Sequence, residues 1–180
     1  MRKVIVSEFM SLDGITEAPE QWVAPFWNDE IAQLKHDELF AADVLLLGRV
    51  TYQSFAGALP QIDVAYTDHM NGLSKLVVST TLEATEWNNS VLVQKNVVHE
   101  ISSLKQMRGE DILIPGSMSL IQSLLPHDII DEYRLLICPV VLGRGKRLFS
   151  DKGNAILKLA EINTFGSGVV LLAYKSAPPR

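Results

Sequence analysis

Short, almost wholly apolar runs recur along the chain, and polar breaks containing glycine, proline or hydroxylated residues separate them. A strand that is covered on both faces has a continuous apolar sequence, so each run predicts a buried strand. The predicted strands cover residues 4–10, 43–48, 75–79, 91–93, 111–114 and 130–141.

Between these runs, apolar residues recur at roughly helical spacing, which predicts helices that alternate with the strands. The predicted helices cover residues 28–40, 49–55, 64–73, 97–107 and 117–125. Asn28 is predicted to cap the first helix, with Asp29 and Glu30 in the first turn, where the helix dipole stabilises carboxylates. Ser117 is predicted to cap the fifth helix.

The chain closes with two further predicted strands, residues 156–164 and 168–175, and the glycines between them indicate a hairpin. Alternating strands and helices are typical of a mainly parallel sheet covered on both faces, to which a terminal hairpin adds antiparallel strands. Because no repeat, low-complexity tract or linker interrupts this pattern, we expect a single α/β domain spanning residues 1–180.

Composition and charge narrow the class of function. With 180 residues, of which 47% are apolar, the chain can bury a substantial core without disulfides or a structural metal. Its net charge is −5 and its basic residues are scattered, which disfavours nucleic-acid binding. No apolar run approaches the roughly 18 residues of a membrane helix, and the N-terminus lacks a signal-peptide pattern, so we expect a cytoplasmic protein that does not bind membranes.

The cysteine, the histidines and the early aromatic residues give no sign of a metal site or a nucleophile. Cys138 lies inside an apolar run and is interpreted as a core residue. Trp22, Phe26 and Trp27 are interpreted as packing on the sheet, with a lid over a substrate ring as the alternative. The histidines are too far apart in sequence to suggest metal ligation, and they are His36, His69, His99 and His127.

Three predicted strands end in glycine or hydroxylated residues, at the points where a helix or loop begins. In an open α/β sheet, ligands bind beyond the carboxyl ends of the strands, where free backbone N–H groups suit phosphate. The segments are Gly48-Arg49-Val50-Thr51, Ser79-Thr80-Thr81 and Gly116-Ser117-Met118-Ser119. Each alone is better explained by a tight turn or a helix cap. The three together favour a dinucleotide, although the G-x-G-x-x-G motif is absent.

Six short segments, taken together in their order along the chain, indicate a protein family more specifically than any one segment does. They are residues 11–14 (SLDG), 46–52 (LLGRVTY), 75–81 (KLVVSTT), 114–117 (IPGS), 130–135 (IDEYRL) and 139–149 (PVVLGRGKRLF). With these segments the chain resembles the dihydrofolate reductase-like superfamily, and within it the reductase (C-terminal) domain of the riboflavin-biosynthesis deaminase–reductase. The resemblance covers nearly the whole chain.

The resemblance implies a three-layer dihydrofolate reductase-like fold: a mainly parallel sheet of about eight strands with a C-terminal antiparallel hairpin, and NADPH bound across its carboxyl edge. It implies that Arg49, Ser79 and Thr80 hold the ribose 2′-phosphate. It also implies that the loop containing Asp13 and Gly14 lies over the nicotinamide. The residues implied to line the pyrophosphate are Gly48, Thr51, Gly116, Ser117, Met118, Ser119 and Leu120.

Departures from the family pattern bear on the substrate. Ser117 stands where dihydrofolate reductases have the second residue of a Gly-Gly pair. Ile114 and Pro115 stand where riboflavin-pathway reductases have an acidic residue associated with the substrate. The zinc deaminase signature is absent, so we do not expect a bifunctional enzyme.

We therefore expect an NADPH-dependent reductase of a small heterocyclic substrate, resembling 5-amino-6-(5-phosphoribosylamino)uracil reductase of riboflavin biosynthesis. The alternatives are a non-catalytic, degenerate nucleotide-binding dimer and a dihydrofolate reductase-type pterin reductase. Reduction requires an acid or an oriented water near the substrate. Asp13 is the first candidate for this acid, and Asp29 and Glu30 are the second. The resemblance also implies a homodimer, for which the apolar strand at 133–141 is the predicted interface.

Overall fold

The computed structural model describes residues 1–58, 64–149 and 155–177. Its eight strands form one sheet in the order β4-β3-β2-β5-β1-β6-β8-β7. They are β1 (Val4–Ser11), β2 (Ala42–Gly48), β3 (Ser74–Val78), β4 (Ser90–Val93), β5 (Asp111–Pro115), β6 (Glu132–Cys138), β7 (Leu157–Thr164) and β8 (Val170–Ser176). The first six strands are mutually parallel, and β8 runs antiparallel to both β6 and β7.

Helices cover both faces of the sheet and make a three-layer domain. They are α1 (Asp29–Phe40), α2 (Arg49–Ala58), α3 (Val64–Gly72), α4 (Val97–Gln106) and α5 (Met118–Leu124). The first three pack on one face through residues such as Leu39, Tyr52 and Met70. The last two pack on the other face through residues such as Ile101 and Ile121. Within the described ranges, these helices are too short or too polar to cross a bilayer.

The strands on either side of β5 differ from it in the face of the sheet on which their connections leave. Its neighbours β1 and β2 continue into α1 and α2 on one face, whereas β5 continues into α5 on the other. Neighbouring strands whose connections leave in opposite directions form the crevice in which open α/β sheets bind ligands. β1 pairs with β5 as far as Ser7 and Pro115, and residues 8–11 then extend beyond β5 along β6.

The predicted fold class is confirmed, including the parallel sheet and the C-terminal antiparallel hairpin. The predicted strand at 130–141 is too long. β6 ends at Cys138, because Pro139 has no N–H to donate to a strand ladder. β6 also pairs with β1 on one side and β8 on the other, so its edges are not free for a dimer interface. The homodimer itself stays a prediction.

The core interpretation of Cys138 is confirmed, because its side chain is fully buried and burial raises the pKa of its thiol to about 11. Trp22 and Phe26 pack against the same apolar cluster, as predicted. Trp27 is 49% exposed, and its ring centroid lies 5.9 Å from that of Phe9.

Candidate active site

The turns that follow β2 and β5 touch at the carboxyl edge of the sheet. The Gly48 N–H donates to Ser117 Oγ over 2.8 Å. A β-carbon at Gly48 would lie 3.4 Å from both Cβ and Oγ of Ser117, so glycine permits this close approach. Ser117 stands at the N-cap position of α5, but its side chain makes no capping bond. The predicted Ser117 cap is therefore wrong, because the hydroxyl links the two turns instead.

Gly116 makes a second contact between the same turns. Its φ is 102°, in the region that favours glycine. A β-carbon there would lie 3.4 Å from Cγ2 and Oγ1 of Thr51, in the first turn of α2. The structure thus brings together most of the residues implied to line the pyrophosphate, namely Gly48, Thr51, Gly116, Ser117 and Leu120. Met118 and Ser119 form the first turn of α5 beside them.

Arg49 directly follows β2 and lies next to the end of β3. Gly48 pairs with Val78, so the residues that follow them, Arg49 and Ser79, leave neighbouring strands at one edge. Arg49 is exposed, and its Nη1 donates to Gln53 Oε1 over 3.2 Å. A guanidinium has five N–H donors, so this bond leaves others for an anion.

Ser79 and Thr80 have different surroundings. Ser79 is buried, and its Oγ accepts hydrogen bonds from the N–H groups of Thr81 and Leu82, at 3.1 and 3.0 Å. Its hydroxyl therefore shapes the turn after β3. Thr80 is exposed at that turn. Of the two residues, Thr80 is the one accessible to a ligand.

The Asp13 carboxylate joins the loop after β1 to the segment after β6. Oδ1 accepts from Ser11 Oγ at 2.7 Å and from the Leu142 N–H at 3.1 Å, and Oδ2 accepts from the Gly143 N–H at 2.8 Å. These hydrogen bonds, that from Ser11 foremost, lower the pKa of Asp13 to about 2. The carboxylate is therefore ionised at neutral pH. The geometry favours a role in orienting the loop and disfavours proton donation.

Gly14 and its neighbours extend this docking. The carbonyl of Gly14 accepts from the Leu148 N–H at 3.4 Å, and Arg147 Nε donates to the Asp13 carbonyl at 3.0 Å. Ile15 is 1% exposed and forms an antiparallel bridge with Arg147. The loop is thus fixed at the carboxyl end of β1, and its place over a nicotinamide stays a prediction.

The two second-choice acids lie at the start of α1. Asn28 caps this helix as predicted, since its Oδ1 accepts from the Ile31 N–H at 3.0 Å. Glu30 Oε2 accepts from the Gly166 N–H at 2.8 Å and from Asn28 Nδ2 at 3.1 Å. Glu30 therefore fastens α1 to the C-terminal hairpin. Asp29 is exposed.

A charged network under α1 is absent from the sequence-based predictions. Lys35 Nζ donates to Ser7 Oγ at 2.5 Å and to Glu38 Oε2 at 3.1 Å. Arg134 Nη1 lies 3.5 Å from Glu38 Oε1, and its Nε donates to Glu132 Oε1 at 2.7 Å. Two cations and two carboxylates balance one another here. Buried charges of this kind persist when they are paired and hydrogen-bonded, so the network is structural.

Glu8 is the functional candidate that sequence reasoning missed. It is 4% exposed within β1, and its Oε1 has no hydrogen-bond partner among the described residues. Burial raises the pKa of this carboxyl to about 8, against an opposing effect of Lys35. The available signal was an acidic residue inside the apolar run VIVSEFMS. Such a residue is rarely buried without a partner.

A surface hollow at the opposite edge of the sheet is lined by Arg2, Asp43, Lys75 and Trp87. Lys75 Nζ lies 4.3 Å from the centroid of the Trp87 ring. The same ammonium group donates to the backbone carbonyls of Asn71, Leu73 and Asn88. Its three donors are therefore satisfied within the protein, and we interpret this lysine as structural.

Comparison with known families agrees with this geometry. The family model of the RibD C-terminal domain matches residues 2–171. The chain belongs to the RibD C-terminal domain family. This family is of the reductase type, so the chain is a member of an oxidoreductase family. The uncharacterized protein YyaP of Bacillus subtilis (strain 168) is 32% identical to this RibD C-terminal domain protein over 179 residues, covering 96% of this chain and 94% of YyaP.

Solved structures establish the dihydrofolate reductase-like fold. A protein from Shewanella sp. PV-4, provisionally assigned to riboflavin biosynthesis, aligns with a TM-score of 0.79 at 20% identity and covers 99% of this chain and 100% of its own. Dihydrofolate reductase from Enterococcus faecalis, complexed with NADP(H), aligns with a TM-score of 0.63 at 13% identity, covering 98% and 97%.

Proposed function

We propose that this RibD C-terminal domain protein is an NADPH-dependent reductase of a small heterocyclic substrate, similar to 5-amino-6-(5-phosphoribosylamino)uracil reductase. The observation that carries the proposal is the contact between the Gly48 turn and the Gly116–Ser117 turn beside the β5 crevice. Membership of a reductase-type family supports the reaction class. The likeness to a dihydrofolate reductase complexed with NADP(H) supports the cofactor.

The residues at the crevice fit a dinucleotide pyrophosphate. Gly48 and Gly116 let the turns after β2 and β5 pack directly against each other, which brings the starts of helices α2 and α5 to one edge of the sheet. The ten-residue helix α2 begins at this edge, and the first N–H groups of a helix are free to bind an anion. Thr51 lies in the first turn of α2 and adds a hydroxyl there.

Arg49 and Thr80 are the groups we assign to the ribose 2′-phosphate. Both are exposed at the edge where β2 and β3 end. A guanidinium matches the geometry of a phosphate by donating two parallel hydrogen bonds. Ser79 contributes indirectly, because its hydroxyl holds the turn that presents Thr80. Since NADH lacks this phosphate, these contacts favour NADPH.

NADPH, when bound, supplies the hydride, and the protein supplies binding, orientation and a water-poor pocket. Asp13 is a positioning residue in this scheme. Its carboxylate holds the N–H groups of Leu142 and Gly143, so that residues 11–16 stay over the end of β1. Ile15, which is buried, packs against Gly145 in the segment after β6.

The start of α1 favours a riboflavin-pathway type of substrate over a pterin. Dihydrofolate reductases bind folate with a carboxylate on this helix. Here Glu30 binds Gly166 and Asn28, and Asp29 is exposed. The first substrate to test is therefore 5-amino-6-(5-phosphoribosylamino)uracil, with dihydrofolate as the comparison.

Cofactor fluorescence during titration with NADPH and NADH tests this proposal. We expect NADPH to bind at least about tenfold more tightly than NADH, because a hydrogen bond to a charged group contributes about 1.5–3 kcal/mol. Arg49→Ala should remove most of this preference. Arg108→Ala, which changes an exposed arginine beyond α4, is the matched control and should preserve it. A wild-type protein that binds neither nucleotide would contradict the proposal.

A non-catalytic nucleotide-binding protein is the second candidate. Pro115 favours it, because this residue and Ile114 stand where riboflavin-pathway reductases have the acidic residue associated with the substrate. NADPH binding without oxidation, in the presence of either test substrate, would support this candidate. NADPH oxidation with the pyrimidine would support the reductase.

A further inference from the structure

Glu8 lies in the apolar layer at the border of the crevice. Val6 and Met10, two residues before and after it, belong to the core between the sheet and helices α4 and α5. Side chains alternate between the faces of a strand, so the Glu8 side chain enters the same layer. Glu8 is also the first β1 residue beyond Ser7, which pairs with Pro115 at the end of β5.

One oxygen of the Glu8 carboxyl has no hydrogen-bond partner among the described residues, and a bound molecule would provide one. This oxygen, Oε1, is buried. An unpaired buried polar atom costs about 1–3 kcal/mol, and native proteins contain few of them. Because Ser7 pairs with Pro115, Glu8 lies alongside the Gly116 turn that we assign to the cofactor.

We propose that Glu8 is the acid of the reductase site, and that its carboxyl contacts the heterocyclic substrate beside the nicotinamide and supplies the proton that completes reduction. This inference rests on the proposed function. The bond reduced in this scheme is a polarised C=N or C=O bond of that substrate.

The reaction balances with the groups already named. The hydride of NADPH forms a bond to the carbon of the C=N or C=O group, and the π-electron pair moves to the nitrogen or oxygen. That atom takes the proton as the O–H bond of Glu8 breaks. NADPH is oxidised to NADP⁺, and the substrate gains two electrons. The Glu8 carboxylate then regains a proton from water.

The charged groups around Glu8 are consistent with a protonated carboxyl at neutral pH. On α1, Lys35 lowers the pKa of Glu8, but burial outweighs this effect and raises it to about 8. Glu38 on the same helix is bound to Lys35. On β6, Tyr133 shares the apolar layer, and burial raises its pKa to about 12, so it stays neutral. Helix α5 contains no titratable residue.

Among residues 1–58, 64–149 and 155–177, Lys35 is the charged group that acts on the pKa of Glu8. Arg147, after β6, donates to the carbonyl of Asp13. The remaining titratable residues of α4 and β5 are exposed or hydrogen-bonded elsewhere, and they are His99, Glu100, Lys105 and Asp111.

Carbon-13 NMR of glutamate carboxyls tests the placement of Glu8 without a substrate. Glu8→Gln identifies the Glu8 resonance, and the exposed Glu100 is the internal control. The oxidised nicotinamide ring is positively charged and the reduced ring is neutral. An opposite charge within about 4–6 Å lowers a carboxyl pKa by roughly 1–3 units. The Glu8 midpoint should therefore be about one pH unit or more lower with NADP⁺ than with NADPH, and Glu100 should not change.

Equal Glu8 midpoints in the two complexes would overturn this inference while leaving NADPH binding intact. A wild-type protein that binds neither nucleotide would instead remove the proposed function, and the inference with it. With 5-amino-6-(5-phosphoribosylamino)uracil as the probe, Glu8→Gln should slow NADPH oxidation at least about 100-fold. Its affinity for NADPH should be unchanged, and Glu100→Gln should oxidise NADPH at the wild-type rate.

Discussion

Asp13 and Glu8 are both carboxylates near the carboxyl end of β1, and their surroundings move their pKa values in opposite directions. Asp13 accepts hydrogen bonds from a hydroxyl and two N–H groups, which lower its pKa to about 2. Glu8 is buried in the apolar layer, and this burial raises its pKa to about 8. At neutral pH one group is ionised and the other holds a proton, so the two have different chemical uses.

The raised pKa of Glu8 makes stability depend on pH. Between its ordinary value of 4.5 and its folded value of about 8, the folded state holds a proton that the unfolded chain has lost. This contribution to the free energy of unfolding is fully present below pH 4.5. It is lost as the pH rises to about 8, at up to about 1.4 kcal/mol per pH unit. Glu8→Gln should remove this slope.

Urea unfolding at several pH values from 5 to 9 measures the effect. Glu100→Gln, on the exposed face of α4, should keep the wild-type slope. Identical slopes in wild type and Glu8→Gln would show that Glu8 does not hold a proton in the folded state.

The sequence indicates which residues belong to the site better than it indicates the surroundings of each residue. Gly48, Thr51 and Gly116 are visible as strand-end residues, and the structure brings them together. The chemistry of Asp13 and Glu8 is not visible, because a pKa depends on partners that are distant in sequence. Asp13, for example, is held by Leu142 and Gly143.

At the scale of elements, the candidate site depends on two strand-to-helix turns in contact. The turn after β2 and the turn after β5 are far apart in sequence, yet the Gly48 N–H binds Ser117 Oγ. Local sequence at Ser117 favours a helix cap, and the structure uses its hydroxyl for this longer-range bond. A local propensity therefore gives way to a tertiary contact that only the folded sheet can create.

Gly116→Ala tests whether this contact requires glycine. Alanine is strained at a φ of 102°, and its β-carbon would meet Thr51 at 3.4 Å, so we expect a loss of about 1–3 kcal/mol in stability and weaker NADPH binding. Gly57→Ala is the matched control, because no described atom lies within 4 Å of its added β-carbon. In a helix this change should be neutral or stabilising by up to about 1 kcal/mol. Equal effects of the two substitutions in thermal unfolding and NADPH titration would show that the contact at Gly116 does not require glycine.

At the scale of the whole molecule, the order of the strands creates the crevice. Strand–helix alternation predicts a parallel sheet, and the late glycines predict the hairpin, from local sequence alone. The arrangement of β5 between β1 and β2 is not local, because it pairs strands separated by much of the chain. Periodicity could not predict this strand order, and the resemblance implied only a mainly parallel sheet of about eight strands with a C-terminal hairpin.

In the reductase proposed above, NADPH binds along the edge formed by the ends of β2, β3 and β5. Two-dimensional NMR of amide groups during titration with NADPH tests it most directly. We expect the largest shifts at residues 48–51, 79–81 and 116–120, and no shifts at the opposite edge around Lys75 and Trp87. Saturable shifts confined to that opposite edge, or no shifts at all, would contradict it.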